Sequence, residues 1–319
     1  MFISFNNLKN FLEELSSKFD VFAPLKNSEG VDFGFFDKDL LTFDYINTKT
    51  PVKIFFLPEE EPIFYFSKKG KRIEIKEPEI TKKFVVFGVR ACDSYAIYLL
   101  DKIFLNKDKN YSQRRKNGLI FCVECEKAGE NCFCYAFNIK PKVYDLLFSP
   151  TKNGFLVKVG SKKGKKILKE FNQFFEKKGK FKHVFPKKFF KKFDLKKVEK
   201  NLERLFYKNE FWKKIADECL ACGACTAACP TCYCFDFEDE ENLRKRKWSS
   251  CFLLEFTRVA GNFYYRKERE ERVKQFVYHK LYYFKKRFKE SLCVGCGRCI
   301  EACPVFIDFF EELMKGVKE

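Results

Sequence analysis

Cys219-Leu220-Ala221-Cys222-Gly223-Ala224-Cys225-Thr226-Ala227-Ala228-Cys229-Pro230 occurs a second time, with the same cysteine spacing, as Cys293-Val294-Gly295-Cys296-Gly297-Arg298-Cys299-Ile300-Glu301-Ala302-Cys303-Pro304. Both stretches read C-x2-C-x2-C-x3-C-P, the spacing that holds [4Fe–4S] cubanes. Three thiolates two residues apart wrap one cube, and the fourth, just before proline, reaches the cube of the other copy. This rule puts Cys219, Cys222, Cys225 and Cys303 on one cluster and Cys293, Cys296, Cys299 and Cys229 on the other. Structural zinc favours two separated C-x2-C pairs or mixtures with histidine, and two full four-cysteine runs argue against it.

The composition supports a metal-rich reading. Sixteen cysteines in 319 residues are too many for packing alone. A disulfide scaffold would need export, and Met1-Phe2-Ile3-Ser4-Phe5-Asn6-Asn7 has no basic segment, long apolar run or cleavage site of that kind. No apolar run approaches the length of a membrane span. The cysteines therefore read as reduced ligands, and the expected location is the cytoplasm. With only His183 and His279 available, haem and His-rich metal sites have little to draw on. The net charge of +19 would suit an acidic partner or nucleic acid. Each cluster with its four thiolates would offset it by roughly 2 units.

Working outward from the cysteine runs, the chain divides into three segments: an α/β domain over 1–165, a Lys-rich helical linker over 166–208, and a mainly helical, ferredoxin-like dicluster domain over 209–319. The last carries an insertion, 230–292, between the two runs. Val273, Phe276, Val277, Leu281, Phe284 and Phe288 fall largely on one helical face, so the insertion is expected to be mainly helical. His279, Trp248, Cys232, Cys234 and Cys251 read as structural, because they offer no complete ligand set.

In the first segment, Leu8, Phe11, Leu12, Leu15 and Phe19 mark an amphipathic helix, with Asn6 or Asn7 as its N-cap. A strand-rich region, Asp20 to Ser67, follows. Lys83-Phe84-Val85-Val86-Phe87-Gly88-Val89 reads as a buried strand, Asp93 as the cap of a helix through Phe104, and Gly118-Leu119-Ile120-Phe121-Cys122-Val123 as a second buried strand. Strand, helix and strand make a βαβ unit with a parallel pair. Cys92 and Cys125 then lie at the carboxyl edge of one sheet, where open α/β sheets build sites. The following Cys132-Phe133-Cys134 can fold back to it. A third cluster is expected on Cys92, Cys125, Cys132 and Cys134, with Cys122 packed inside its strand. A hairpin about Lys152-Asn153-Gly154 closes this half. From Ser161 to Lys200 there are 16 lysines against four acids, with aromatics interleaved. These read as solvated helix faces with Phe turned inward, and no nucleic-acid fold signature accompanies them.

Taken together, these segments resemble the 4Fe–4S dicluster subunits typified by the β subunit of soluble sulfhydrogenases, which are NAD(P)-linked [NiFe] hydrogenases. They are also similar to the corresponding iron–sulfur subunit of anaerobic sulfite reductase. The resemblance rests on Phe87-Gly88-Val89-Arg90-Ala91-Cys92-Asp93, Gly129-Glu130-Asn131-Cys132-Phe133-Cys134, Cys229-Pro230-Thr231-Cys232-Tyr233-Cys234-Phe235-Asp236, and Ser250-Cys251 with Phe256-Thr257-Arg258-Val259-Ala260-Gly261. The family often has proline at the position of Ala91, and a Gly-Pro-containing segment where this chain reads Tyr135-Ala136-Phe137-Asn138-Ile139-Lys140. The resemblance implies a non-catalytic electron-transfer subunit. Its partners would be a flavin- and NAD(P)-binding subunit together with a catalytic one, either a [NiFe] hydrogenase or a sulfite or sulfur reductase. Flavin and NAD(P) would then reside in the partner, and this chain has neither a G-x-G-x-x-G loop nor a P-loop.

Overall fold

The computed structural model describes residues 1–316. The chain forms two compact units, each assembled from several stretches. The first comprises Met1–Phe56, Glu79–Gly129 and Ile139–Phe190, and the second Leu57–Pro78, Glu130–Asn138 and the chain from Lys191 onward.

The first unit is built on a seven-stranded sheet. Its order is Phe2–Ser4, Gly154–Val159, Leu146–Thr151, Gly118–Val123, Phe84–Val89, Asp20–Asn27 and Gly30–Phe35. The four strands from Leu146–Thr151 to Asp20–Asn27 run parallel, and antiparallel pairs flank them. Every residue of Phe84–Val89 and Gly118–Val123 is buried, as expected of parallel strands covered on both faces. Phe11, Phe87, Phe121, Phe148 and Phe155 interlock over one face. Each such ring contributes about 1.5–3 kcal/mol on burial.

Two caps differ from expectation. The first helix, Phe5–Leu15, is capped by Ser4, whose hydroxyl accepts from the Asn7 N–H at 3.2 Å. A strand ends at Ser4, so the helix starts earlier than the apolar spacing indicates. The helix Ala91–Phe104 begins immediately after Arg90, which puts Asp93 in its first turn rather than at its cap. There Asp93 is buried and accepts the Val52 N–H at 3.3 Å.

The second unit is mixed. Helices Leu195–Leu205, Asn209–Glu218 and Arg269–Tyr278 enclose a core of Trp212, Phe252, Val273, Phe276, Tyr278 and Leu313. The insertion between the cysteine runs corrects the mainly helical expectation, because its first part is a hairpin, Phe235–Glu240 with Leu243–Trp248. The register explains why. Asp236 faces Lys247, Glu238 faces Lys245 and Asp239 faces Arg244, so one strand is acidic where the other is basic. A second hairpin, Glu60–Lys69 with Arg72–Lys76, extends this into a four-stranded antiparallel sheet. At the junction Arg246 and Glu61 form a buried ion pair at 2.6 Å. The Lys-rich stretch is helical only over Lys162–Glu170 and Leu195–Leu205. Phe171 and Phe193 turn inward as expected, whereas Phe185 and Phe190 are exposed.

Candidate metal centres

The two cysteine runs fold alike. The helix Asn209–Glu218 stops at Cys219, and the Ala221 N–H then turns back to the Cys219 sulfur at 3.4 Å. In the second run the Gly295 N–H reaches the Cys293 sulfur at the same distance. Backbone φ is positive at the third residue of each run, Ala221 (54°) and Gly295 (62°), and at the fifth, Gly223 (79°) and Gly297 (81°). A short helix follows in each case, Ala224–Ala227 or Arg298–Glu301. The spacing thus encodes a loop that curls back on its own first cysteine and presents the next two from the turn that follows. Glycine is required at 295, where a Cβ would lie 2.7 Å from the Cys134 nitrogen. Ala221 occupies the equivalent left-handed position with a side chain, at a cost of about 1–2 kcal/mol. Ala221→Gly is expected to raise stability by up to about 1 kcal/mol, read as a higher anaerobic denaturation midpoint, after glycine's larger entropy loss is subtracted.

Cys219, Cys222, Cys225 and Cys303 line one small pocket. Its other walls include Leu220, Phe252, Val305 and Phe309. Cys303 comes from the second run, and its sulfur accepts the Ile307 N–H at 3.3 Å. Cys222 is exposed, and Leu220, Val305 and Phe306 leave an apolar rim in solvent. The donor set fits an iron–sulfur cubane: thiols only, apolar walls, and N–H groups directed at sulfur. Among the described residues, no three His, Cys, Asp or Glu side chains are close enough to share one metal ion. A cubane spreads its thiolates around a cube, whereas zinc draws them to one point.

The other set is more deeply enclosed. Burial, together with the neighbouring Cys296, Cys293 and Cys229 sulfurs, pushes the Cys299 thiol well above its usual value. Cys229 goes the other way. A hydrogen bond from Cys232 holds it low against the effect of burial, and Lys280 adds to this. Lys280 Nζ donates to the Cys229 sulfur at 3.0 Å and to Thr231 Oγ1 at 3.3 Å. Sequence reasoning passed over this lysine. Its signal was present, because Lys280 falls four residues after Phe276 and four before Phe284, on the apolar face of the helix.

Cys132 and Cys134 belong to the second unit, where their loop packs against the second run. The Phe133 N–H donates to Gly295 O at 2.8 Å, and the Cys132 sulfur lies 3.6 Å from Cys296 O. Cys92 and Cys125 belong to the first unit. There Arg90 is buried against the Tyr45 ring at 3.8 Å and donates to Glu124 O. Burial works to lower Arg90, but Tyr45 and the Cys125, Cys122 and Cys92 thiols outweigh it. Cys122 is fully buried in its strand, as expected.

The family model of the 4Fe-4S dicluster domain matches residues 218–307, which contain all eight cysteines of the two runs. Sulfhydrogenase 2 subunit beta of Pyrococcus furiosus is 34% identical over 328 aligned residues, covering 95% of this chain and 94% of that protein. The chain belongs to the sulfhydrogenase β-subunit family. No solved structure matches it. No helix among the described residues is long and apolar enough to cross a membrane.

His279 keeps its structural reading. Burial first, and then the Lys280 charge, push its imidazole down to about 4, and its Nε2 pairs with the Tyr233 hydroxyl at 3.0 Å. The folded value lies below the unfolded one, so the unfolded chain binds the extra proton first on acidification. The stabilisation is complete above about pH 6.5 and is lost as pH falls towards 4. Between pH 7 and pH 4.5 the wild type is expected to lose roughly 2–3 kcal/mol more than His279→Gln, measured as paired denaturation midpoints under anaerobic conditions.

Proposed function

We propose that the chain is an iron–sulfur electron-transfer subunit that relays electrons between a flavin- and NAD(P)-binding subunit and the catalytic subunit of a cytoplasmic hydrogenase or sulfur-reducing complex. The observation that carries this reading is the cavity that gathers Cys219, Cys222 and Cys225 with Cys303 from the other run. When bound, [4Fe–4S] clusters supply one-electron couples. The chain's own residues do the rest. Cys219, Cys222, Cys225 and Cys303 would hold one cluster, and Cys293, Cys296, Cys299 and Cys229 the other. Phe252 and Phe309 shield the first from water, while the exposed rim of Leu220, Val305 and Phe306 gives a partner's redox centre a close approach. The third centre expected at Cys92, Cys125, Cys132 and Cys134 is part of the proposal, with Arg90 as countercharge to the thiols of the first unit.

The hydrogenase assignment rests on the name of the Pyrococcus relative. A sulfite or polysulfide reductase complex would use the same wire, because specificity lies in the catalytic partner. Iron and acid-labile sulfide per chain, measured after anaerobic purification, test the cluster count. About twelve of each is expected; about eight removes the third centre, and zinc without iron overturns the reading. Recovery with a nickel-containing subunit, rather than a sirohaem-containing one, identifies the catalytic partner.

A further inference from the structure

Lys280 is 3% exposed, and its nitrogen lies in the interior of the second unit. An isolated buried ammonium costs several kcal/mol, so such groups are found paired. Lys280 bonds to the Cys229 sulfur and Thr231 Oγ1 and lies over the face of Phe276, whose centroid is 5.2 Å away, and the Cys232 and Cys293 thiols also act on its charge. No carboxylate is among them. The anion that would balance this cation is therefore a thiolate, and the hydrogen bond singles out that of Cys229.

The position is built rather than incidental. The helix Arg269–Tyr278 widens into a π-turn over His279–Tyr283 before Phe284–Phe288 resumes the α-helical path. Such bulges redirect side chains at functional sites. The Lys280 carbonyl accepts from the Leu292 N–H at 2.8 Å and the Ser291 hydroxyl at 3.1 Å, which ties the turn to the entry of the second cysteine run. Neighbouring His279 is held by Tyr233.

We propose that Lys280 sets the reduction potential of the cluster ligated by Cys229, raising it above that of the cluster on Cys219, Cys222, Cys225 and Cys303. The inference rests on the iron–sulfur reading above. One-electron reduction adds a negative charge to a cage that is already anionic. A fixed cation donating to a ligand sulfur stabilises the reduced state more than the oxidised one, so the couple shifts upward. The hydrogen bond goes to Cys229 alone among the eight cysteines of the two runs, while the Lys280 charge reaches Cys225 of the other set only through space, so the bonded cluster shifts more. Lys280 acts through a ligand rather than on a substrate, and is a positioning residue.

The test is a mediated redox titration followed by electron paramagnetic resonance on the anaerobically prepared full chain. In Lys280→Met the reduced-to-oxidised ratio of one couple at fixed ambient potential is expected to fall at least tenfold, equivalent to about 59 mV or more for one electron. The other couple should move less than threefold, and Lys280→Arg should restore the first to within threefold. A full iron complement with neither couple moved, or with both moved equally, overturns the assignment. A wild-type measurement guards against a variant that fails to assemble. Protein labelled with ¹⁵N at lysine Nζ should show nitrogen hyperfine coupling on one of the two reduced clusters of the cysteine runs, and absence of coupling on both of these overturns the proposal. A wild type lacking both cluster signals would instead sink the iron–sulfur reading itself.

Discussion

Cys303→Ala is expected to remove the cluster of the first cysteine run, and Cys229→Ala that of the second. Each variant should lose about four irons per chain, and each should leave intact the spectrum of the cluster whose ligands adjoin the mutation in sequence. The reason is the crossing of fourth ligands that we propose. Cys303 lines the cavity of Cys219, Cys222 and Cys225, and the Cys229 sulfur is a neighbour of Cys293 and Cys299. A cube held by three thiolates loses a ligand that apolar walls cannot replace, and Leu220, Phe252, Val305 and Phe309 offer no oxygen or nitrogen side chain. Iron analysis alone would show the loss, but paired resonance spectra decide which cube has gone. If Cys303→Ala abolished the second signal and spared the first, the crossed ligation would be wrong.

The next largest effect is expected at Glu61. Its carboxylate meets Arg246 Nη2 at 2.6 Å and Nε at 2.8 Å, and both side chains are almost wholly buried. Glu61→Ala would leave a buried guanidinium uncompensated, at a cost of about 3–5 kcal/mol. Replacing both members with leucine should cost far less, because the desolvation penalty disappears together with the attraction. Anaerobic denaturation midpoints of the single and double variants check this. Equal losses in both would show that the ion pair contributes through packing alone. The single variant should also loosen Glu60–Lys69 from Leu243–Trp248, since the pair lies in their shared register.

Much of the site was legible because cluster ligation is a local code. Cysteine spacing, and the glycines at 223, 295 and 297 that permit the turn, all lie within the two short runs themselves. The βαβ unit was legible for a similar reason, since Phe84–Val89 and Gly118–Val123 are continuous apolar runs with a helix between them. What escaped depends on distant pairing. Residues 60–67 read as part of an ordinary strand-rich region of the first half, and nothing in their composition names Leu243–Trp248 as their partner. The hairpin of the insertion was hidden by its charges, which look like a solvated stretch until acidic and basic strands are set opposite each other. Lys280 was obscured by the surrounding lysines, although its apolar-face position set it apart. The packing of the Cys132–Cys134 loop on Gly295 also escaped, because it is a contact across more than 150 residues.

The late partner of the Glu60–Lys69 hairpin has a consequence for synthesis. On a ribosome adding about 5–20 residues per second, the strand Leu243–Trp248 is made on the order of ten to thirty seconds after Arg72–Lys76. Throughout that wait the nascent hairpin presents the unpaired edge of Glu60–Lys69, while Arg72–Lys76, with Ile73 and Ile75 in water, remains an edge even in the finished fold. Lys68, Lys71, Arg72 and Lys76 give the hairpin the positive charge that discourages strand-to-strand association between neighbouring nascent chains.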